Sequence, residues 1–150
     1  MIFNQLFDNK SSTYTYIIAS NKGREALIID PVIENTEEYL KVLKDLNLKL
    51  VKVIDTHVHA DHITGLNGLS KRTKCTKIMG EHSKSEVIDL RVKEDDKIEI
   101  DKIQLKAIYT PGHTDCSYSF LMNDRVFTGD TLLINGAGRT DFQGGSAVAQ

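Results

Sequence analysis

Seven residues, "THVHADH" (56–62), hold three of the chain's five histidines together with an aspartate. Two later stretches carry the same residue types: "TPGHT" (110–114) brings His113 and "TGD" (128–130) brings Asp130. Imidazole nitrogen suits zinc or iron, and a carboxylate adds the charge that holds a divalent cation. Histidines and an aspartate from separate loops therefore describe an open metal site with positions left for substrate. His57 and His59 are two apart, so on an extended strand they would project to opposite faces, and only an irregular loop can turn both inward. A lone H-x-H would carry little weight, because a single loop histidine is commonly just polar and Asp61 could simply cap the next helix. H-x-H-x-D-H after a strand, with "PGH" and "TGD" after later strands, is a specific combination.

The elements that must position these loops follow from pattern. "TYTYIIAS" (13–20) and "ALIIDP" (26–31) are β-branched and aromatic runs separated by the turn "NKGRE", which predicts a hairpin. Asn35 with Glu38 offers a capping box, and Tyr39, Leu43 and Leu46 recur at helical spacing behind it. "KLVKVID" (49–55) reads as a strand, and "TGLNGLSKRT" sets Leu66 and Leu69 on one side of a helix. The histidine cluster thus sits between a strand and a helix. Beyond Met79 come strand-like runs near residues 98, 106, 120 and 127, with Asn123 and Asp124 at a tight turn. Helices outside sheets, with chemistry on the strand-end loops, is the α/β arrangement these segments suggest.

A length of 150 residues suits a single domain, 1–150. Nineteen basic against twenty-one acidic residues give a net charge of -2 with no basic run to follow a phosphate backbone, so nucleic acid is not an expected partner. Two cysteines make no disulfide framework, and a reduced compartment suits them; Cys116 reads as a small buried hydrophobe. The amino-terminal residues lack a signal-peptide pattern and nothing approaches membrane-spanning length, which leads to the expectation of a cytoplasmic chain with no membrane partner. His82, in "GEHSKSE", reads as a solvated loop residue without a partner.

On His57, His59, Asp61, His62, His113 and Asp130 the chain resembles the metallo-β-lactamase fold superfamily. The resemblance implies an αββα sandwich, two sheets between helices. In hydrolytic members a first metal takes the equivalents of His57, His59 and His113. A second takes Asp61 and His62 with a later histidine, and Asp130 bridges the two.

The stretches "STYTYIIAS", "IDPV", "THVHADHITG", "TPGHT" and "FTGDTLLINGAGRTDFQGG" look more closely like the persulfide dioxygenase branch. Glyoxalase II-type hydrolases share the histidine motif and "TGD" but continue with aromatic and acidic residues where this chain has "GRTDFQ". What this likeness implies is one Fe(II) per chain on His57, His113 and Asp130. The reaction implied takes glutathione persulfide, dioxygen and water to glutathione and sulfite.

On that reading His59, Asp61 and His62 orient ligands or move protons, or else bind a second metal. Asp61, His62 and Arg139 are the catalytic candidates. Arg139 suits a substrate carboxylate, or equally a structural salt bridge to an aspartate such as Asp141. A hydrolase with one or two Zn(II) ions is the alternative enzyme, and a non-catalytic metal-binding fragment the alternative class. Family members continue well beyond "GGSAVAQ", so the C-terminal part of the sandwich is expected to be missing. A second copy or a partner chain would then cover the exposed sheet. In a eukaryote the mitochondrial matrix would be the compartment, although no transit peptide is visible.

Overall fold

The computed structural model describes residues 1–150. Ten strands and two helices run along the chain, interleaved as an α/β protein: β1 (Ile2–Asp8), β2 (Thr13–Ala19), β3 (Glu25–Ile29), α1 (Thr36–Asp45), β4 (Lys49–Ile54), α2 (Leu66–Thr73), β5 (Thr76–Gly80), β6 (Leu90–Val92), β7 (Lys97–Ile100), β8 (Ile103–Tyr109), β9 (Tyr118–Leu121) and β10 (Val126–Phe127). One sheet has the order β1-β2-β3-β4-β5-β6 and the other β10-β9-β8-β7. The chain forms two compact units, neither of them continuous in sequence. The first comprises Met1–Asp55, His59–Ile78 and Glu99–Ile103, and the second Thr56–Val58, Met79–Ile98 and Gln104–Gln150.

In the first unit β1, β2 and β3 pair antiparallel, while β3, β4 and β5 run parallel, with α1 and α2 as the crossovers. A parallel strand covered on both faces needs apolar residues at consecutive positions, and Ala26, Leu27, Ile28 and Ile29 are all fully buried. Helix α1 buries Tyr39 and Leu43, four apart, and α2 buries Leu66 and Leu69, three apart, each making one apolar stripe. Strands β3 and β4 therefore end side by side, and Asp30 and Asp55 follow directly, with the Asp30 N–H donating to the Ile54 carbonyl at 2.8 Å.

Local polar contacts depart from the expected capping box. Asn35 does stand at the N-cap of α1, but its side chain makes no cap bond; its amide donates instead to Asp8 Oδ1 at 3.1 Å. A 3-10 turn, Ile33–Asn35, supplies the first bonds in its place, which is why Glu38 has nothing to close. Asp8 is a hub for the β1–β2 turn, its Oδ2 accepting from the N–H of Lys10 and from both the N–H and hydroxyl of Ser11. Strand β1 has no apolar run to announce it: none of its residues is fully buried, and pairing with β2 makes it a strand.

The second unit carries the antiparallel meander β8-β9-β10, with Leu105, Ala107, Tyr118 and Phe120 buried, and the Met122 N–H donating to the Arg125 carbonyl across the turn at Asn123–Asp124. No helix is long and apolar enough to cross a membrane.

Two stability measurements follow. Tyr39 Oη accepts the Val32 N–H at 3.1 Å and lies 3.0 Å from Thr15 Oγ1, all of it buried. Tyr39→Phe strands that N–H, and urea unfolding should show a loss of about 1–3 kcal/mol. The turn donors hold the Asp8 carboxyl at a pKa of about 2, below its ordinary 3.8, so its contribution is present above pH 4 and lost as pH falls through 2. Asp8→Ala should therefore lower the melting temperature at pH 7, with the gap to the parent chain closing between about pH 4 and pH 2.

Candidate metal centre

The β4 ladder ends at Ile54, and the chain then turns irregular at Thr56 and His57, both buried. This frees His57 from the alternation of a strand. Its Nδ1 lies 2.9 Å from Thr56 Oγ1, and its Nε2 faces Asp130 Oδ2 at 3.9 Å. His113 stands on the loop after β8. Its Nδ1 donates to the Arg139 carbonyl at 2.8 Å; because a carbonyl only accepts, Nδ1 carries the proton and Nε2 keeps its lone pair. That Nε2 lies 3.5 Å from Asp130 Oδ2, and the two imidazole rings meet edge to face with centroids 4.9 Å apart.

His57, His113 and Asp130 thus offer ligand atoms within 4.8 Å of one another. Bonds of about 2.0–2.2 Å to a divalent ion place neighbouring ligand atoms about 3–3.5 Å apart, so small side-chain shifts close the set onto one ion. His57 is 2% exposed whereas the Asp130 side chain is 46% exposed, which leaves the centre open on the carboxylate side. Two imidazole nitrogens and one carboxylate converging on one point fit a divalent metal.

Two glycines make this approach feasible. Gly129 has φ +49, and a Cβ there would run into Thr56 Oγ1 and sit 3.2 Å from His57 Nδ1. At Gly138 a Cβ would collide with the Asp130 carbonyl and sit 2.8 Å from His113 Nδ1.

A second group belongs to the first unit. His59, Asp61 and His62 bring ligand atoms within 4.8 Å of one another, and so do Asp30, Asp55 and His59. His59 Nε2 lies 3.2 Å from Asp30 Oδ1, and its Nδ1 lies 3.8 Å from Asp61 Oδ1. Burial works to lower the His59 pKa, but the Asp30 hydrogen bond and the charges of Asp30, Asp55 and Asp61 carry it up to about 9. Burial raises Asp55 to about 7, with His59 opposing and the Asp30 carboxylate adding to the rise.

Burial, joined by the charge of His59, holds His62 below its ordinary value, and it is neutral at pH 7. Its Nδ1 lies 3.3 Å from Asp61 Oδ2 and 3.2 Å from Thr13 Oγ1. The anionic carboxylate only accepts, so the proton is on Nδ1. The buried Nε2 then carries a lone pair that no protein group meets, as an orphaned ligand atom would.

A family model described as the metallo-beta-lactamase superfamily matches residues 8–149. The chain belongs to that superfamily. Its fold is the metallo-beta-lactamase fold, and persulfide dioxygenases are its homologues. The mitochondrial persulfide dioxygenase ETHE1 of Mus musculus is 42% identical over 150 residues, covering 98% of this chain and 59% of that protein. The crystal structure of ETHE1 from Myxococcus xanthus matches with a TM-score of 0.96 at 46% identity, covering 99% of this chain and 66% of that one. A hydroxyacylglutathione hydrolase of Buchnera aphidicola is 32% identical over 127 residues, covering 84% of this chain and 50% of that protein. The chain therefore spans about three fifths of the length of the persulfide dioxygenase it matches, 59%.

Within this metallo-beta-lactamase chain the motif residues sort into two sets. His57, His113 and Asp130 gather in one, and His59 groups with Asp61 and His62 in the other. Arg139 enters twice: its carbonyl holds His113, while its guanidinium makes a two-point pair with Asp141, Nε to Oδ1 at 2.8 Å and Nη2 to Oδ2 at 3.1 Å. Both side chains are mostly exposed, so the pair fixes the arginine more than it stabilises the fold.

Sequence reasoning passed over Asp30 and Asp55, whose signal was that each closes a buried strand of one parallel pair. It also passed over Thr13, which donates to Asp61 Oδ2 at 3.1 Å. His82 is an exposed loop residue as expected, but not one without partners: it stacks on Tyr109 with centroids 4.1 Å apart, and its Nδ1 lies 3.1 Å from Tyr118 Oη. A metal-competition titration tests the glycine cradle. Gly138→Ala should weaken Zn(II) or Co(II) affinity by about 10–100-fold. Gly136→Ala, where nothing lies within 4 Å, should leave it unchanged.

Proposed function

We propose that this chain is the metal-bearing part of a persulfide dioxygenase that takes glutathione persulfide, dioxygen and water to glutathione and sulfite. His57, His113 and Asp130 would hold a single Fe(II). The observation that carries the reading is the two-histidine, one-carboxylate set with an open side, taken with the likeness to persulfide dioxygenases along nearly the whole chain. When bound, Fe(II) would supply the electrons that dioxygen chemistry needs and coordination positions not taken by the three protein ligands.

The chain's own residues have separable tasks in this reading. Thr56 Oγ1 and the Arg139 carbonyl hold the Nδ1 atoms of His57 and His113, which turns both Nε2 atoms toward Asp130, and the carbonyl keeps the His113 proton on Nδ1. The Asp141 pair keeps the Arg139 side chain, and with it the carbonyl that grips His113, in one conformation. Asp61 and His62, bonded to each other and to Thr13, hold a proton at His62 Nδ1 beside a carboxylate that can receive it.

A second reading has its own support. The orphaned Nε2 of His62, in a group with Asp61 and His59, is what a second ion would satisfy, and hydroxyacylglutathione hydrolases are among the relatives. That reading makes the chain part of a zinc-dependent thioester hydrolase with two ions.

Metal analysis of protein purified without added metal, together with oxygen uptake on glutathione persulfide, separates the readings. About one iron per chain with persulfide-dependent uptake is the expected result, and His113→Ala should abolish both. About two zinc ions with cleavage of a glutathione thioester would replace it with the hydrolase. Bound metal with neither activity would overturn both and leave a metal-binding chain.

A further inference from the structure

A cavity of about 370 Å³ opens in the second unit, and His57, His113 and Asp130 are not among the residues that line it. Its volume lies in the range of small-molecule sites. Val58, Cys116, His82, Lys84, Asp115 and Gln143 are among the residues that line it.

The wall is built rather than incidental. Cys116 is buried, and its Sγ accepts the Val58 N–H at 3.4 Å, which ties together the two loops that carry His57 and His113. His82 is locked by its stack on Tyr109 and its bond to Tyr118, and its Nε2 has no protein partner. Tyr118 is in turn seated against Gly80, where a Cβ would strike its ring. On this fixed wall stand two opposite charges, the Lys84 ammonium and the Asp115 carboxylate, and neither has an ion-pair or hydrogen-bond partner. They do not neutralise each other. One unpaired cation and one unpaired anion on a single cavity complement a ligand that carries both charges, and an α-amino acid headgroup is the small organic group that does.

The geometry points to a subsite for the α-amino acid end of a γ-glutamyl thiol, with Lys84 receiving its carboxylate and Asp115 its ammonium. This rests on the glutathione persulfide reading above, because the γ-glutamyl end of that substrate carries an α-carboxylate beside an α-ammonium while its sulfur lies one residue further on. Position along the chain agrees. Val58 directly follows His57, and Asp115 lies two residues after His113, so each ligand loop continues into the cavity wall. Two extended residues span about 7 Å, which is the length of γ-glutamyl chain that separates the sulfur from the amino acid end. Lys84 and Asp115 would then set specificity for the carrier of the sulfur and leave the reacting sulfur alone.

Amide NMR spectra of the 150-residue chain, titrated with glutathione, read binding directly. The expected result is that the signals of Lys84, Asp115, Cys116 and Gly144 move together. Lys84→Met and Asp115→Asn should each weaken the dissociation constant by about three- to tenfold, and Asp115→Asn should have no effect on glutathione acetylated at its α-amine. Unchanged affinity in both variants, or shifts confined to other residues, overturns the subsite. Oxygen uptake is measured separately. A chain that consumes oxygen but whose glutathione affinity ignores both substitutions keeps the dioxygenase and loses the subsite. Weakened binding without oxygen uptake keeps the subsite and removes the reaction.

Discussion

The bond from His113 Nδ1 to the Arg139 carbonyl fixes more of the centre than any other contact. It decides which nitrogen carries the proton, and so which nitrogen is left to meet a metal. It also requires the chain at residues 138–139 to lie flat against the imidazole, and only a residue without a side chain can do so, because a Cβ at Gly138 would meet both the ring and the Asp130 carbonyl. The Gly138 N–H donates to that same carbonyl at 2.8 Å, so one short segment holds the backbone of one ligand and the ring of another. Arg139 therefore meets His113 through its main chain, not its side chain. The guanidinium, anchored on Asp141, acts as a brace.

Electrostatically the two His/Asp groups are unlike. The first has two imidazoles and a single, half-exposed carboxylate, a modest negative charge. The second surrounds His59 with the carboxylates of Asp30, Asp55 and Asp61, and their combined field keeps its imidazole protonated at neutral pH. A cation bound there would take the place of that proton. Two buried atoms in this neighbourhood, Asp55 Oδ1 and His62 Nε2, lack protein partners. An unsatisfied buried polar atom costs about 1–3 kcal/mol, so such pairs are retained where a ligand repays them.

Legibility followed the physics of each element. Buried parallel strands and one-sided helices impose strong patterns, and "ALII", "KLVKVI" and the Tyr39–Leu43 and Leu66–Leu69 stripes were all readable. Strand β1 was not, because an edge strand paired on one side tolerates almost any sequence, and "IFNQLFD" shows no alternation. Asn35 was readable as the start of α1 but not in its bonding, since Asp8, twenty-seven residues away, outcompeted the cap. His82 looked solitary because its partners, Tyr109 and Tyr118, lie on strands that the sequence places far from it.

By itself the sequence determined the α/β class, the superfamily and the candidate ligand residues, because metal chemistry demands particular side chains and loop geometry demands particular glycines near them. Tertiary structure alone decided how the six motif residues divide. His57 and His59, two apart in a seven-residue motif, fall in different groups because an irregular loop can turn nearby side chains to different neighbours. The protonation of His113, His59 and His62 was also decided there. It depends on what stands behind the ring, a carbonyl at His113 and carboxylates at His59 and His62, and those groups come from Arg139 and Asp30, 26 and 29 positions away, or from the neighbouring Asp61, with no spacing rule to announce them.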